Sequence, residues 1–416
     1  MQTQLQQLKN YITKYPLEGV SLLFIASLPL FVGEIIADSH AYLLGKYINY
    51  LHIRITLSLI LAITVCVVYL LQIKSRKELY VFLSTLALAL LLAVHPIYDL
   101  SRGIGISFFP LYFASVFHLA AFFTTTSAFF IATKTILASD TSLHKTVFRA
   151  FSVSLGFQLL FGFLQYFSNG PFAPSSFAWL GQPTVFTSKS IIGIFEYTRL
   201  YGTTPHPNIL AGIVVFWNFI VLSLTIPKVK KFFFGLASMV LLLGTLSKTG
   251  LLSFIALVFV YLLRNRIEKL TVPKLLYWAV PLLLGIAIGA TALFPETSAT
   301  FVDSRVVIQS LYLELLQKFP HFLLTGTGFT MSIPTLLFHA KDITQTVIWG
   351  NQILAEPPHN ILLLLLVELG LPLTTILISG FWYIWKRNWA SLYMWQYIAL
   401  IVMVLILGSF DHYLVY

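Results

Sequence analysis

The sequence predicts an all-α polytopic membrane protein, and three observations carry that prediction. Apolar residues make up 58% of the 416 residues, and charged residues only 10%. A soluble protein of this length carries about a quarter of its residues as charges. Mean hydropathy is +0.85. Apolar runs of membrane-spanning length also recur along the whole chain, separated by short segments that hold most of the charge. Length alone would suggest two or three soluble domains, and the composition rules that out. Disorder is excluded by 36 Phe, 20 Tyr and abundant aliphatic side chains, which fit lipid-facing surface and interfacial belts.

Eleven spans are expected, at about 18–36, 55–73, 79–96, 106–132, 150–167, 207–226, 232–245, 250–263, 275–294, 359–385 and 391–410. The count becomes twelve if the long 106–132 run hides a break. The seventh and eighth are short, so they tilt or dip towards a cavity. The polar start, MQTQLQQLKNYITKYP, does not look like a cleaved signal peptide. The spans divide the chain into N-terminal membrane helices (1–167), an outer loop (168–206), central membrane helices (207–294), a long outer loop (295–358) and C-terminal membrane helices (359–416).

Charge sets the expected orientation. With the N-terminus cytoplasmic, the inner segments hold 17 of the 26 Lys and Arg, including KSRK at 74–77, KVKK at 228–231 and RNRIEK at 264–269. The much longer outer segments hold the other nine, a density ratio of about four to one in the sense of the positive-inside rule. The formal charge of +11 would suggest a nucleic-acid partner in a soluble protein. Here it reads as topology signals, and no nucleic acid is expected. Cys66 is the only cysteine, so no intrachain disulfide can form, and no zinc or CxxC motif is present. Both long connections fall outside, and long ordered loops usually carry function.

Few basic residues lie in the outer half. Arg199 sits in YTRLYGTTPHPNILAG, just before a helix that Asn208 or Thr204 could cap, with Pro207 in its first turn. A helix start beside an arginine is an anion site; pairing with Glu196 is the plainer alternative. Lys248, in LLGTLSKTGLL, is either a functional intramembrane cation or a lysine snorkelling to the interface. Arg305 starts a helical stretch to Phe319, with Val306, Leu313, Leu316 and Phe319 at helical spacing. That stretch is expected to lie as an amphipathic helix on or in the outer surface, or to pack on the bundle with Arg305 solvated. His359 follows Pro357 and Pro358. Neutral histidine suits proton transfer near neutral pH, although a histidine at a helix start also serves as a cap. Glu368 lies about 14 Å deeper and reads as structural before catalytic. His206, His321 and His339 lack ligand spacing, so no metal is expected. No P-loop, HExxH or GxSxG is present, and no DxD pair lies on a short outer loop.

In order, RLYGTTPHPN (199–208), LSKTG (246–250), SRVVIQSLYLELLQKFPHFLLTGTGF (304–329) and PPHNILLLLLVELG (357–370) resemble the O-antigen ligase and Wzy polymerase superfamily of bacterial membrane glycosyltransferases. The last segment carries most of this, since His359, Asn360, nine residues and Gly370 are similar to the family's His-[Asn/Ser/Gln]-x9-Gly signature. The resemblance covers about 199–380. It implies a GT-C-like, metal-independent, inverting enzyme of the bacterial plasma membrane with no cofactor. Such an enzyme moves a glycan from undecaprenyl diphosphate to a lipid, glycan or protein acceptor at the outer face. It implies Arg199 and Arg305, with Lys248, on the diphosphate. His359 would act as base towards the acceptor hydroxyl, with Asn360, Asn208 and Glu368 in support.

The family often has twelve spans, and its usual Ser-Arg is here Ser247–Lys248, a weaker phosphate clamp. Two other readings are a lipid-linked glycan flippase or transporter, which needs polar residues through the bundle, and a SEDS-type peptidoglycan polymerase. The latter would use an outer-loop aspartate, Asp303 or Asp342, but their surroundings do not resemble that family.

Overall fold

The structure is a computed structural model. It describes residues 16–29, 33–37, 42–43, 46–47, 53–72, 91, 94–103, 107–168, 188–191, 195–204, 206–268, 295–340, 342–343, 348–349, 352–353, 357–358, 360–388 and 393–410. The spans expected at 79–96 and 275–294 fall largely or wholly outside these residues.

Among the described residues the fold is a helical bundle with four small two-stranded sheets, three of them hairpins. The helices are α1 (Pro16–Ser27), α2 (Leu57–Gln72), α3 (Phe108–Leu137), α4 (Thr141–Ser168), α5 (Pro207–Ser223), α6 (Lys228–Thr245), α7 (Lys248–Leu262), α8 (Arg264–Ile267), α9 (Pro295–Lys318), α10 (Phe322–Thr325), α11 (Ser332–Phe338), α12 (Ile361–Asn388) and α13 (Met394–Phe410). Helices α3, α4 and the Ile361–Ser379 part of α12 are long and apolar enough to cross a membrane.

The apolar pattern does not predict these sheets. The strands are β1 (Gly33–Ala37), β2 (Tyr42–Leu43), β3 (Lys46–Tyr47), β4 (Ile53–Thr56), β5 (Ser188–Ile191), β6 (Phe195–Thr198), β7 (Ile348–Trp349) and β8 (Gln352–Ile353). They pair antiparallel as β1 with β4, β2 with β3, β5 with β6 and β7 with β8. All lie in connections between helices.

Several spans are corrected. The run at 18–36 splits, because α1 ends at Ser27 and β1 begins at Gly33. Pro29 lies between them, and proline ends a helix by removing a backbone donor. Twelve residues of helix rise only about 18 Å. The 106–132 run hides no break, since α3 is one helix of 30 residues. The run at 359–385 is broken, since Gly370 inside α12 has φ 71 and ψ 168.

The main core joins α1, α2, α3, α4, α5, α6, α7 and α13 around Trp217, Phe151, Phe24 and Phe219. Trp217 stacks on Phe151 at 5.5 Å and its indole N–H donates to the carbonyl of Ile25 at 3.1 Å, so the largest core ring leaves no buried donor unmet.

The bundle has two chemically different ends. One gathers Lys134, Lys145, Arg149, Lys228, Lys230, Lys231, Arg264 and Arg266 near the α3–α4, α5–α6 and α7–α8 turns. His144 ties that end together: its Nδ1 accepts the Thr225 N–H at 3.0 Å while Nε2 lies 3.2 Å from the Ile136 carbonyl. The other end holds the start of α5, the α6–α7 turn and the last turns of α4.

Candidate functional site

The RLYGTTPHPN segment is locked in place by two glutamines that its own sequence does not contain. Gln158 and Gln165 lie seven residues apart on α4, two turns along one face. Both are buried. The Gln165 side-chain oxygen accepts the N–H groups of Tyr201 and Gly202 at 3.2 and 3.0 Å, and its amide donates to the Gly202 carbonyl at 2.6 Å. The Gln158 oxygen accepts the Thr203 N–H at 3.0 Å while its amide donates to the Thr203 hydroxyl at 2.8 Å. That hydroxyl in turn donates to the Pro29 carbonyl at 2.5 Å. These bonds satisfy a stretch of irregular backbone that a low-dielectric interior would otherwise penalise.

Two close approaches finish the lock. Gly202 has φ +56, and a Cβ there would stand 2.1 Å from Gln158 Oε1. Leu200 fills a slot between Gly162 and Gly244, where added Cβ atoms would approach it to 3.2 and 2.2 Å. The Leu200 N–H donates to the Gly244 carbonyl at 2.9 Å, so the segment is stitched to the end of α6 as well as to α4.

Arg199 stands at the centre of this junction. It is 4% exposed. Its Nε donates to the Thr245 carbonyl and its Nη2 to Asn208 Oδ1, each at 2.8 Å. It therefore joins the last turn of α6 to the first turn of α5, elements 37 residues apart at Asn208 and Thr245. The expected caps for α5, Asn208 or Thr204, are corrected. His206 is the N-cap, with Pro207 following, and its Nδ1 accepts the Asn208 N–H at 3.2 Å. Asn208 turns its side chain to Arg199 instead. Thr204 bonds back to the Tyr201 and His206 carbonyls.

The LSKTG turn completes the junction. Leu246 adopts the left-handed conformation at φ 50, which stops α6. Ser247 then caps α7 by accepting the Gly250 N–H at 3.2 Å. Lys248 is the first residue of α7 and is half-buried. Gly250 lets α7 meet α5, since a Cβ there would lie 2.5 Å from Ala211 Cβ. Two helix N-termini, each the positive end of a helix dipole, thus sit side by side with Arg199 and Lys248. The arrangement suits an anion.

The second pair of motif segments also meets. Gly370 breaks α12 after Leu369, which would strand the carbonyls of the last turn. The GTGF turn supplies donors: Thr327 N–H reaches the Val367 carbonyl at 2.8 Å and Gly328 N–H the Glu368 carbonyl at 3.1 Å. The Thr374 hydroxyl takes the Leu365 carbonyl at 2.9 Å. The two backbones touch so closely that a Cβ at Gly326 would lie 2.2 Å from the Glu368 carbonyl oxygen, and one at Gly370 2.7 Å from the Leu324 carbonyl oxygen. Both glycines have positive φ. Glu368 is 1% exposed and Oε1 accepts the Ser332 hydroxyl at 2.8 Å. The carboxylate thus belongs to this break.

Asn360 caps α12, its Oδ1 accepting the Leu362 and Leu363 N–H groups at 2.9 and 3.2 Å. The turn packs on the middle of α3 through Phe329 against Phe122 at 5.4 Å, and Met331 shares a buried cluster with Leu111 and Ala114 nearer the Phe108 end. Leu137, the other end of α3, borders the lysine- and arginine-rich end. The Arg199 junction therefore lies at the bundle end away from that basic cluster, and the GTGF junction packs on the middle and Phe108 half of α3.

Helix α9 carries Arg305. Its buried face is Ile308, Leu311, Tyr312, Leu315 and Leu316, packed on α11 and α12. Leu313, expected on the apolar face, points outward at 50% exposure. Its spacing from Leu316 is helical, but the true stripe runs through 308, 311, 312, 315 and 316. The helix ends at Lys318, before Pro320, as its sequence suggests. The side chain of Arg305 lies outside the described residues, as do His359 and the side chains of Asp303 and Glu196. Asp342, the other aspartate considered, lies 3.5 Å from His339 Nδ1.

The apolar run at 150–167 conceals the roles of Gln158 and Gln165. Two amides at a seven-residue spacing inside a membrane helix are the signal that could have found them. No family model, characterised protein or solved structure matches the chain.

Proposed function

We propose that the chain is an O-antigen ligase-like glycosyltransferase with about eleven membrane spans and a GT-C-like arrangement. It moves a glycan from undecaprenyl diphosphate to an acceptor at the outer face of the bacterial plasma membrane, in surface polysaccharide biosynthesis. One observation carries the reading: segments distant in sequence, which together resemble that superfamily, meet in pairs away from the lysine and arginine cluster. RLYGTTPHPN is tied through Arg199 to Thr245, the residue before LSKTG, and GTGF joins the Gly370 break. By the positive-inside rule the basic end is cytoplasmic, so the Arg199 junction faces outward.

The chemistry follows from the charges. The acceptor hydroxyl gives its proton to His359, and its oxygen attacks the anomeric carbon with inversion. The bond from that carbon to the diphosphate oxygen breaks, and undecaprenyl diphosphate leaves with the electron pair. Negative charge grows on phosphate oxygens. Arg199, Lys248, the two helix N-termini beside them and Arg305 would stabilise it, because fixed donors in a partly dry site need no reorganisation during reaction. The test is purified protein with an undecaprenyl-diphosphate-linked glycan and candidate acceptors. Transfer is expected in the wild type and lost in His359→Ala, Arg199→Ala and Arg305→Ala proteins that still insert. Full transfer in all three variants would remove the mechanism.

A second reading is a lipid-linked glycan transporter, favoured by the broken helix at Gly370 with buried Glu368 beside it. It predicts movement of an intact lipid-linked glycan across vesicles with no acceptor present.

A further inference from the structure

The basic end contains a more specific arrangement than a scatter of lysines. Lys231 and Arg264 come from different helices and converge on one ring. Lys231 Nζ lies 5.6 Å from the Tyr261 ring centroid, and Arg264 Cζ lies 4.2 Å from it. Both cations are held in place. Lys231 donates to the Leu222 carbonyl, at the end of α5, at 2.7 Å. Arg264 Nη1 donates to the Tyr261 carbonyl at 2.9 Å. Trp395 meets Tyr261 edge-on at 5.4 Å.

Two like charges brought together in this way repel unless a counter-charge lies near. Neither forms an ion pair with a carboxylate among the described residues. The acid available on the same turn, Glu268, is committed elsewhere: its Oε1 accepts the Trp395 N–H at 3.2 Å and so secures the start of α13. Burial, with the neighbouring Arg264 charge, pushes the Lys231 ammonium down to about 8. The fold thus holds two ordered cations close together at a cost, over a tyrosine of the kind enriched at headgroup depth.

We propose that Lys231 and Arg264, over the Tyr261 ring, form a seat for the phosphate of an anionic phospholipid headgroup in the cytoplasmic leaflet. Lys231 keeps ammonium hydrogens beyond the one given to Leu222, and Arg264 keeps guanidinium donors beyond the one given to Tyr261. A phosphate between them accepts from both and cancels their repulsion. Ordering of the cations before the lipid arrives lowers the entropy lost on binding. The acyl chains would lie along the exposed apolar side chains of neighbouring helices, such as Leu262, Phe232 and Phe233. Binding lipid here would fasten α5, α6, α7 and α13 at one point. This site is independent of the glycosyltransferase reading.

The test is thermal unfolding of the whole chain in lipid nanodiscs of phosphatidylcholine alone or with phosphatidylglycerol. Phosphatidylglycerol is expected to raise the unfolding temperature of the wild type. Lys231→Gln and Arg264→Gln should each cut that rise by half or more, while Lys228→Gln, an exposed lysine on the same face, should leave it intact. Lys231→Arg, which keeps the charge, should retain most of it and guards against a variant that misfolds. Equal loss in Lys228→Gln and Lys231→Gln would overturn the seat in favour of diffuse attraction. Full stabilisation of detergent-solubilised protein by inorganic phosphate, with no further rise from phosphatidylglycerol, would overturn the assignment to a lipid.

Discussion

Replacing Gln165 with methionine keeps the length of the side chain and removes every hydrogen bond it makes. Gln165 serves three backbone groups, the N–H of Tyr201, the N–H of Gly202 and the carbonyl of Gly202. Its own exposure is zero, so water cannot readily replace it. A buried backbone group left without a partner costs about 1–3 kcal/mol, giving roughly 3–9 kcal/mol for the three if the loop stays in place. The cheaper response is for the loop to leave α4. Leu200 would then slip from its slot between Gly162 and Gly244, and Arg199 would lose its fixed relation to Thr245 and Asn208. The expected outcome is a loss of several degrees in thermal unfolding together with loss of transfer. Gln158→Met, which strands the Thr203 N–H and leaves the Thr203 hydroxyl with only its bond to the Pro29 carbonyl, should be milder. Both are checked by unfolding of the detergent-solubilised protein and by transfer on the folded fraction. A Gln165→Met protein that unfolds at the wild-type temperature and transfers at the wild-type rate would refute the view that this glutamine builds the site.

Gly370→Ala forces a side chain into φ 71, ψ 168 and against the backbone of Leu324 and Gly326; with about 1–3 kcal/mol for the strained conformation alone, it should sharply lower the yield of folded protein, whereas Pro372→Ala should not, and equal yields would contradict the close approach. Leu200→Ala empties the slot between Gly162 and Gly244 and should cost about 2–5 kcal/mol, read as a lower unfolding temperature; an unchanged one would mean the slot collapses freely. His339 lies outside the spans. Burial, then the His321 charge, holds its imidazole below the usual 6.5 against the opposing pull of Asp342. Its folded form therefore takes up a proton less readily than its unfolded form. Stability from this group is intact above pH 6.5 and is lost as pH falls towards the lowered value. His339→Asn should flatten that part of the profile between pH 7.5 and 5, and parallel wild-type and variant profiles would show that His339 does not contribute.

The helical, apolar character of the chain and the boundaries of several helices were legible in composition and periodicity. The Arg199 to LSKTG junction was legible only as motifs in order, since nothing in either segment says that Arg199 would reach the Thr245 carbonyl. The break in α12 was hidden by hydropathy. ILLLLLVELGLPLTTIL reads as one apolar run, and what divides it is Gly370 backbone geometry met by donors from a turn about forty residues earlier. Pro29 ended the first helix for the same kind of reason, a backbone constraint inside an apolar stretch. The buried stripe of α9 was misread at Leu313 because spacing by threes and sevens fixes a period but not which face meets the bundle. Most strands lie in polar connections where apolar periodicity carries no signal, and β1 and β4 take the ends of apolar runs that read as helix.

The central claim is that the Arg199 junction seats the departing diphosphate. Its most direct test is equilibrium binding of undecaprenyl diphosphate to the wild type and to Arg199→Gln, normalised to the folded fraction of each sample. A hydrogen bond to a charged group is worth about 1.5–3 kcal/mol, so the account predicts binding weaker by about tenfold or more in the variant. Equal affinity in folded Arg199→Gln protein would contradict it.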